Sequence, residues 1–381
     1  MPPVRLPCPD SYRPVVLAAA LCALGMAFLP AARAVTLAER RQAAEATAGS
    51  GTNACSPLRP FYWEIGNRYM ALGSGKVAAL SDNGDYTGPQ PDVALPIASA
   101  SKWLYASYVV KTRGSALSQQ DVAFLTFRSG YTRFTRCARL ATVGGCIAAQ
   151  DGLPQDGSTE PDPGWGGSAL VGSFDYSGAH MQKHASLDPV LRDLRNGALA
   201  DEMNRVLKRP LGPDLGISYL QPQLAGGVSM APAGYAEFLR QILAGRLMPD
   251  YTLAWPTTCT NPNLPFVASA TCLKQPTYSP FATGALELAD VHYGLGHWIE
   301  DDVPGQANIA YSSAGAFGFY PWVLADAKTG ERTFYGIVVP KLPSLASIPD
   351  RAEGEPAQRP AQKSVACGRL IRQAWLTGVV Q

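Results

Sequence analysis

Charge and histidine are both scarce in this chain of 381 residues. Asp, Glu, Lys and Arg together make up 16% of the sequence, and four histidines occur. The eight cysteines include no Cys-x-x-Cys pair, so the ligand spacing of a zinc site is missing. Lys and Arg number 32 against 30 Asp and Glu, a net charge of +2, with no basic stripe. We therefore expect no metal site, no cofactor and no nucleic-acid partner.

The sequence also lacks an apolar run that would make a convincing membrane span. The run Val15 to Leu29 is short for a span and is bounded by prolines. Arg5 and Arg13 precede this run, and Ala32-Arg33-Ala34 follows it as an A-x-A cleavage signal. Residues 1–34 are therefore predicted to be a signal peptide, and the mature chain to be exported to the periplasm or secreted.

Cysteine usage agrees with export. Six cysteines remain after residue 34, an even number that favours disulfides in an exported protein. Many connectivities are possible for six cysteines. Proximity in sequence favours two pairs, and elimination leaves the third: Cys137–Cys146, Cys259–Cys272 and Cys55–Cys367.

Strand and helix patterns divide the chain into regions. Strand-like runs lie towards both ends, whereas apolar residues in the middle recur at helical spacing. We predict an α/β (α+β) fold in which an antiparallel sheet, flanked by helices from both chain ends, is interrupted by an inserted all-helical domain. The sheet domain takes residues 35–115 and 216–381, and the helical domain takes residues 116–215. Three predicted strands lie near the C-terminus, at Tyr293–Trp298, Ala316–Leu324 and Thr333–Pro340.

One long insertion stands out within the second half. Residues 247–284 are rich in Pro, Thr and Ser and enclose one of the predicted disulfides. An insertion of this length without regular structure needs a covalent link or a functional reason.

A Ser-x-x-Lys sequence, Ser99 to Lys102, opens an apolar helical pattern. Side chains three apart share a helix face, so a lysine amine can take the proton of such a serine when burial or a nearby cation lowers the lysine pKa. Ser101 is adjacent to the lysine, and its side chain points elsewhere. No other lysine has a serine three residues before it. A capping serine beside a solvated lysine is the simpler interpretation of these residues alone.

Further motifs follow in an order and spacing that cover roughly residues 55–375. The full set of motifs is Ile97-Ala98-Ser99-Ala100-Ser101-Lys102, Ala225-Gly226-Gly227-Val228-Ser229, Tyr235-Ala236-Glu237-Phe238-Leu239, Tyr293-Gly294-Leu295-Gly296 and the hairpin from Gly315 to Pro340. The chain thus resembles the serine β-lactamase and penicillin-binding-protein superfamily. It is nearest to the branch of class C β-lactamases, D-aminopeptidases and β-lactamase-like carboxylesterases. This resemblance implies a β-lactamase/transpeptidase-like fold.

The resemblance implies catalytic roles for three residues. Ser99 is acylated, and Lys102 belongs to the base system. Tyr176 stands where the superfamily has the tyrosine of its Tyr-x-Asn element, and its phenol would relay a proton to the leaving group. No Tyr-x-Asn occurs in the chain, because Gly178 replaces the asparagine.

The third element of the superfamily, Lys-Thr-Gly on the strand facing the serine, is also altered. Its place holds Ser313-Ala314-Gly315, so a serine replaces the cation. The backbone at Ala316 could supply one oxyanion donor and the Ser99 amide the other. A literal Lys-Thr-Gly at residues 328–330 lies between two apolar strands and is interpreted as a hairpin turn. His180 is a candidate at the rim of the binding site, with ordinary packing as the alternative.

These departures bear on the substrate. The missing lysine and asparagine would hold the carboxylate and the acyl-amide group of a penicillin or peptide. The resemblance therefore implies an exported serine hydrolase that cleaves a small ester or uncharged amide through an acyl-enzyme on Ser99, as a monomer without a membrane span. A cell-wall or D-amino-acid peptidase or amidase, or a weak β-lactamase, is the second interpretation. A catalytically weak penicillin-binding or sequestering protein is the third.

Overall fold

A computed structural model describes the chain in ten stretches. They are residues 35–81, 83–138, 140–154, 161–255, 259–269, 272–281, 291–301, 308–326, 329–342 and 359–381. The predicted signal peptide, residues 1–34, lies outside the described residues, as does Lys328 of the literal Lys-Thr-Gly. The described residues from 35 to 381 form one compact unit.

The main sheet has seven antiparallel strands: β1 Phe61–Gly66, β2 Ala71–Val77, β8 Val291–Tyr293, β9 Trp298–Asp301, β10 Asn308–Ser312, β11 Tyr320–Asp326 and β12 Arg332–Pro340. Across the sheet they lie in the order β2-β1-β12-β11-β10-β9-β8. Two smaller sheets consist of β3 Leu95–Pro96, β7 Val228–Met230 and β6 Ser218–Tyr219, and of β4 Gly152–Pro154 with β5 Pro161–Pro163. Strands from the two ends of the chain pair with each other in this sheet, where Trp63 of β1 lies opposite Val338 of β12.

Nine α-helices accompany these strands in the described residues. They are α1 Leu37–Ala48, α2 Ser101–Arg113, α3 Gln119–Leu125, α4 Val143–Ala148, α5 Ala179–Leu187, α6 Asn196–Leu207, α7 Pro232–Leu243, α8 Asp250–Leu253 and α9 Arg359–Thr377. Helix α1 begins with a capping box in which Thr36 and Glu39 satisfy each other's backbone amides, and it packs along α9.

Helices cover both faces of the main sheet. Phe334 on β12 packs against Trp375 of α9, with ring centroids 5.8 Å apart. The next residue, Tyr335, accepts a hydrogen bond of 2.9 Å from Arg240 of α7. Successive side chains of a strand point to opposite faces, so α9 and α7 lie on opposite sides of β12. This explains why every residue of β1 is buried.

The predicted fold class is confirmed by these elements: an antiparallel sheet flanked by helices from both chain ends. Residues 116–215 contain α3 to α6, together with the short β4–β5 hairpin. The domain boundaries inferred from the sequence stay a prediction.

The predicted strand Tyr293–Trp298 is wrong in its extent. Its two end residues pair with each other, and the residues between them form a tight turn that connects β8 to β9. Gly296 in that turn has φ of +73°, which favours glycine. The predicted strand Ala316–Leu324 begins later, at Tyr320, because residues 313–319 form the connection from β10 to β11.

The cysteines lie in the three predicted pairs. Their Cα–Cα distances are 4.5 Å for Cys55–Cys367, 4.8 Å for Cys137–Cys146 and 5.2 Å for Cys259–Cys272. The first pair joins the segment before β1 to α9, so it ties the two ends of the sheet region together. Across the described residues, none of the helices is both long enough and apolar enough to cross a bilayer.

Candidate active site

Ser99 lies in a single 3-10 turn, Ala98–Ala100, directly before α2. The turn is anchored at its start, because the Ile97 amide donates to the Val228 carbonyl at 3.1 Å. Ala98 has φ of +46°, a left-handed conformation that costs a non-glycine residue roughly 1–2 kcal/mol. Strain of this kind persists where the surrounding structure imposes it, and it is often found beside reactive groups.

Ser101 supports this turn rather than sharing its chemistry. Its hydroxyl donates to the Ala98 carbonyl at 2.6 Å and accepts from the Val228 amide at 3.3 Å. Tyr235 adds a third anchor by donating to the Ala100 carbonyl at 2.9 Å. The side chain of Ser101 therefore points away from Ser99, because positions one or two apart in a helix do not face each other.

Lys102 is the second residue of α2 and lies one turn after the partly exposed Ser99. Its Nζ is 2.9 Å from Ser99 Oγ and 2.8 Å from the Ala225 carbonyl oxygen. Only 4% of the residue is exposed. The structure thus brings together the two side chains that the spacing predicts, and it excludes the alternative of a solvated lysine.

Tyr176 closes the other side of the lysine amine. The Lys102 Nζ lies 4.8 Å from the centroid of the Tyr176 ring, within the range of a cation–π contact. The ring stacks on Trp298 at 5.1 Å and meets Phe127 edge-on at 5.4 Å. Burial raises the pKa of Tyr176 to about 12, although interactions with the Ser99 hydroxyl and the Trp298 side chain work to lower it. The phenol is therefore protonated at neutral pH.

The connection from β10 to β11 forms the wall opposite the helix. Ser313 is 2% exposed, and its hydroxyl donates to the backbone carbonyl of Ser99 at 3.2 Å. A Cβ added to Gly315 would lie 2.1 Å from the Ile97 carbonyl oxygen, so only glycine allows this close approach. Ala314 is buried and Ala316 is partly exposed. The predicted segment 313–316 thus lies against the turn that carries Ser99, immediately after β10.

Gly178, which replaces the asparagine of the superfamily motif, is also closely packed. A Cβ at this position would lie 3.3 Å from Phe134, 3.4 Å from Ala225 and 3.6 Å from the side-chain nitrogen of Gln223. These neighbours surround the place where a side chain of residue 178 would begin. The site therefore has no side chain at the position of the superfamily's asparagine.

His180 lies deeper than the predicted rim of the site. The residue is fully buried, and its two ring nitrogens contact the Ser129 hydroxyl at 2.6 Å and the Asp175 carbonyl at 3.0 Å. Its ring stacks on Phe127 at 5.1 Å, and burial lowers its pKa to about 3. A neutral imidazole held in this way supports the loop that carries Tyr176, which favours packing over substrate contact.

The turn around the literal Lys-Thr-Gly belongs to a hairpin, as predicted. Strands β11 and β12 pair on either side of it, and the Gly330 amide donates to the Asp326 carbonyl at 2.8 Å. The described part of this turn therefore joins the two strands at their ends.

Two contacts of the site have no signal of their own in the sequence. The Ala225 group that accepts from Lys102 is a backbone carbonyl, and Trp298, which stacks on Tyr176, is one of seven tryptophans with no motif around it. Their roles follow from the meeting of β7, α2 and β9, which no local pattern reveals.

Comparison with known proteins gives matches among solved structures alone. No family model and no curated protein matches the chain. The matching structures include a D-stereospecific amidohydrolase from Streptomyces sp. (14% identity, 80% of this chain and 94% of that chain, TM-score 0.39). They also include a β-lactamase/D-alanine carboxypeptidase from Yersinia pestis (12% identity, 86% of this chain and 95% of that chain, TM-score 0.41). A third is EstCE1, a hydrolase with promiscuous acyltransferase activity (12% identity, 87% of this chain and 98% of that chain, TM-score 0.44).

The structures named above are those of an amidohydrolase, a β-lactamase/carboxypeptidase and a hydrolase with acyltransferase activity, and the matches also include a simvastatin synthase from Aspergillus terreus. Identities below 15% and TM-scores below 0.5 carry no statement about activity, so the function proposed next rests on the geometry of the site. The chain is similar, in motifs and by these matches, to serine β-lactamase and penicillin-binding-protein-like hydrolases.

Proposed function

We propose that this protein is a serine hydrolase that cleaves a neutral ester or uncharged amide through an acyl-enzyme on Ser99. The observation that carries the proposal is the 2.9 Å contact between Lys102 Nζ and Ser99 Oγ, with the lysine buried beside Tyr176. A nucleophile within hydrogen-bond reach of a base that a third group orients is the arrangement that covalent catalysis needs.

Acylation transfers one proton through this arrangement. In its unprotonated form, Lys102 Nζ takes the Ser99 Oγ proton as Oγ bonds to the substrate carbonyl carbon. The carbonyl oxygen gains the electron pair, and the Ser99 and Ala316 amides are the candidate donors that stabilise it. Collapse of this intermediate breaks the bond to the leaving group, which takes its proton from Tyr176. Lys102 returns a proton to Tyr176, and water then releases the acyl group by the same steps in reverse.

A neutral substrate is favoured by what surrounds the nucleophile. Ser313 uses its hydroxyl to bond the Ser99 carbonyl, so at that position a substrate carboxylate would meet a neutral and already engaged group. A neutral hydrogen bond is roughly half as strong as a charge-assisted one. Gly178 offers no amide to an acyl-amide side chain. The acyl-transfer residues depend on neither missing anchor, so an ester requires only those residues and an apolar pocket.

Two measurements test the proposal. A fluorophosphonate probe should label the peptide that contains Ser99, and labelling should disappear in Ser99→Ala. The unmodified protein should hydrolyse p-nitrophenyl butyrate with a higher kcat/KM than nitrocefin. The opposite order of the two constants would favour the β-lactamase alternative. Labelling of Ser99 without turnover of any ester would favour the penicillin-sequestering alternative.

The proposal extends to export and to the monomeric state. The three cysteine pairs at disulfide distance support an oxidising compartment, where such bonds persist. Mass spectrometry of the secreted protein should show a mature N-terminus at Val35 and no free thiol, and sedimentation should give the mass of one chain.

A further inference from the structure

Among the described residues of the insertion 247–284, the segment 274–278 pairs with the catalytic loop, defined here as residues 169–176. The Thr277 amide donates to the Phe174 carbonyl at 2.9 Å, and the Tyr176 amide donates to the Tyr278 carbonyl at 3.1 Å. Between these two bonds, Asp175 and Tyr278 form a parallel β-bridge. The insertion therefore pairs, backbone to backbone, with the residues that lead into Tyr176.

Side chains strengthen the same pairing. Thr277 Oγ1 lies 2.7 Å from a carboxylate oxygen of Asp175 and 3.2 Å from the Phe174 carbonyl oxygen. At the start of the segment, Lys274 Nζ donates to the Ala169 carbonyl at 3.2 Å. Thr277 is at the centre of this contact, since both its backbone amide and its hydroxyl face the catalytic loop.

A ring contact extends the support to the Tyr176 side chain. Phe281, which follows segment 274–278, packs edge-on against Trp298 with centroids 4.7 Å apart. Trp298 in turn stacks on the Tyr176 ring at 5.1 Å. The insertion thus holds Tyr176 in two ways, through the backbone amide and through the aromatic ring beneath the phenol.

Tyr176 needs this support because it lies on neither a helix nor a strand. Its loop is tied to the core on one side, where the Asp175 amide donates to the Phe127 carbonyl at 3.1 Å. The other side is tied by segment 274–278. A catalytic group on a loop keeps its geometry only when neighbouring groups lock it.

We propose that segment 274–278, with Thr277 at its centre, is the positioning element of Tyr176, and that the Cys259–Cys272 disulfide keeps it in place. Cys272 lies two residues before the segment, and its amide and carbonyl both bond to Ser269, at 3.2 and 3.0 Å. Closing this loop restricts the conformations open to the insertion. The inference rests on the proposed function, in which Tyr176 protonates the leaving group.

The test uses two butyrate esters that differ in their leaving group. p-Nitrophenoxide leaves without a proton, whereas the ethoxide of ethyl butyrate needs one from Tyr176. Thr277→Val removes the hydroxyl and keeps the shape, so it should lower kcat/KM for ethyl butyrate by about 10- to 100-fold and for p-nitrophenyl butyrate by less than about threefold. Cys259→Ser/Cys272→Ser should show the same selective loss. Thr277→Ser, which keeps the hydroxyl, should restore the activity on ethyl butyrate.

Matched controls separate positioning from general damage. Thr377→Val removes a hydroxyl that bonds a backbone carbonyl at the exposed end of α9, and it should change neither ester rate. Cys137→Ser/Cys146→Ser removes a different disulfide and should not discriminate between the two esters. Hydrogen exchange at the Asp175 and Tyr176 amides should be faster in Thr277→Val than in the unmodified protein, which reports the loop directly without any turnover.

The outcomes distinguish this inference from the function on which it rests. Tyr176→Phe should lose ethyl butyrate activity selectively, and equal losses on both esters would overturn the acid role of Tyr176. If Tyr176→Phe is selective but Thr277→Val and the Cys259/Cys272 variant are not, the positioning role is wrong. If no ester is turned over, unchanged exchange protection at residues 175–176 in Thr277→Val overturns the positioning role, and faster exchange supports it.

Discussion

Replacing Lys102 with methionine should separate catalysis from stability most clearly. The substitution removes Nζ, which lies 2.9 Å from Ser99 Oγ and 2.8 Å from the Ala225 carbonyl, and it keeps most of the side-chain volume. A positioned base contributes about 10²–10⁴ in rate. We therefore expect kcat/KM for p-nitrophenyl butyrate to fall by that factor, or by about 3–5 kcal/mol in transition-state free energy.

Stability should change much less than activity. Two hydrogen bonds are lost, each contributing about 1 kcal/mol, while a buried polar group is replaced by an apolar one in a residue that is 4% exposed. These effects oppose each other, so the free energy of unfolding should change by less than about 2 kcal/mol. The variant should thus stay folded while it loses activity.

Lys111→Met is the matched control on the same helix. Lys111 is exposed, and its Nζ donates to the Arg246 carbonyl at 3.1 Å, far along α2 from the nucleophile turn. Substitutions of this kind usually change stability by less than about 0.5 kcal/mol. Esterase rates should match those of the unmodified protein.

The assay combines steady-state rates, the p-nitrophenol burst and urea unfolding on both variants. The burst reports acylation of Ser99, so Lys102→Met should lose it while Lys111→Met keeps it. A folded Lys102→Met protein that retains more than about a tenth of the activity would refute a general-base role of this lysine.

Two further predictions test the frame around the site. Gly315→Ala should lower kcat/KM by about 100-fold, because its Cβ would lie 2.1 Å from the Ile97 carbonyl and a shift of about 1 Å is enough for such a loss. Gly197→Ala, where a Cβ meets nothing within 4 Å, is the control and should leave ester hydrolysis unchanged. Arg372→Met should destabilise the protein by about 3–5 kcal/mol at pH 7, since it leaves Glu300 buried without its 3.0 Å partner. Burial works to raise the pKa of Glu300, but Arg372 and a second arginine hold this pKa below its usual range. The stability contributed by the ion pair is therefore present above pH 4.5 and is lost as the pH falls. The gap in unfolding free energy between the two proteins should therefore narrow below pH 4.5, and a gap that widens in acid would contradict this account.

The contact between Ser99 and Lys102 could be predicted from the sequence because the two residues are close together along the chain. Ser99 and Lys102 are one helical turn apart, so their spacing alone predicts the contact that the structure shows at 2.9 Å. The antiparallel sheet with helices from both chain ends could also be predicted from the sequence. Apolar residues that alternate, or that recur at helical spacing, show which face of a strand or helix is buried.

The outer parts of the site depend on contacts between distant segments. His180 follows Tyr176 closely in sequence, but the burial of its ring against Phe127 is set by packing. Strand β10 was not predicted, and the turn between β8 and β9 was predicted as a strand, because short buried strands and turns share apolar residues and glycines.

The sequence alone predicts the contact between Ser99 and Lys102, the cysteine pairs and the class of fold, because each depends on local spacing, on parity or on periodic burial. Tertiary structure alone decided how Tyr176 is held. Its amide bonds to Tyr278 and its ring stacks on Trp298, two partners more than 100 residues away along the chain. Such contacts arise when separate elements fold onto one another. The sequence pattern of each element does not show how close that element lies to the others.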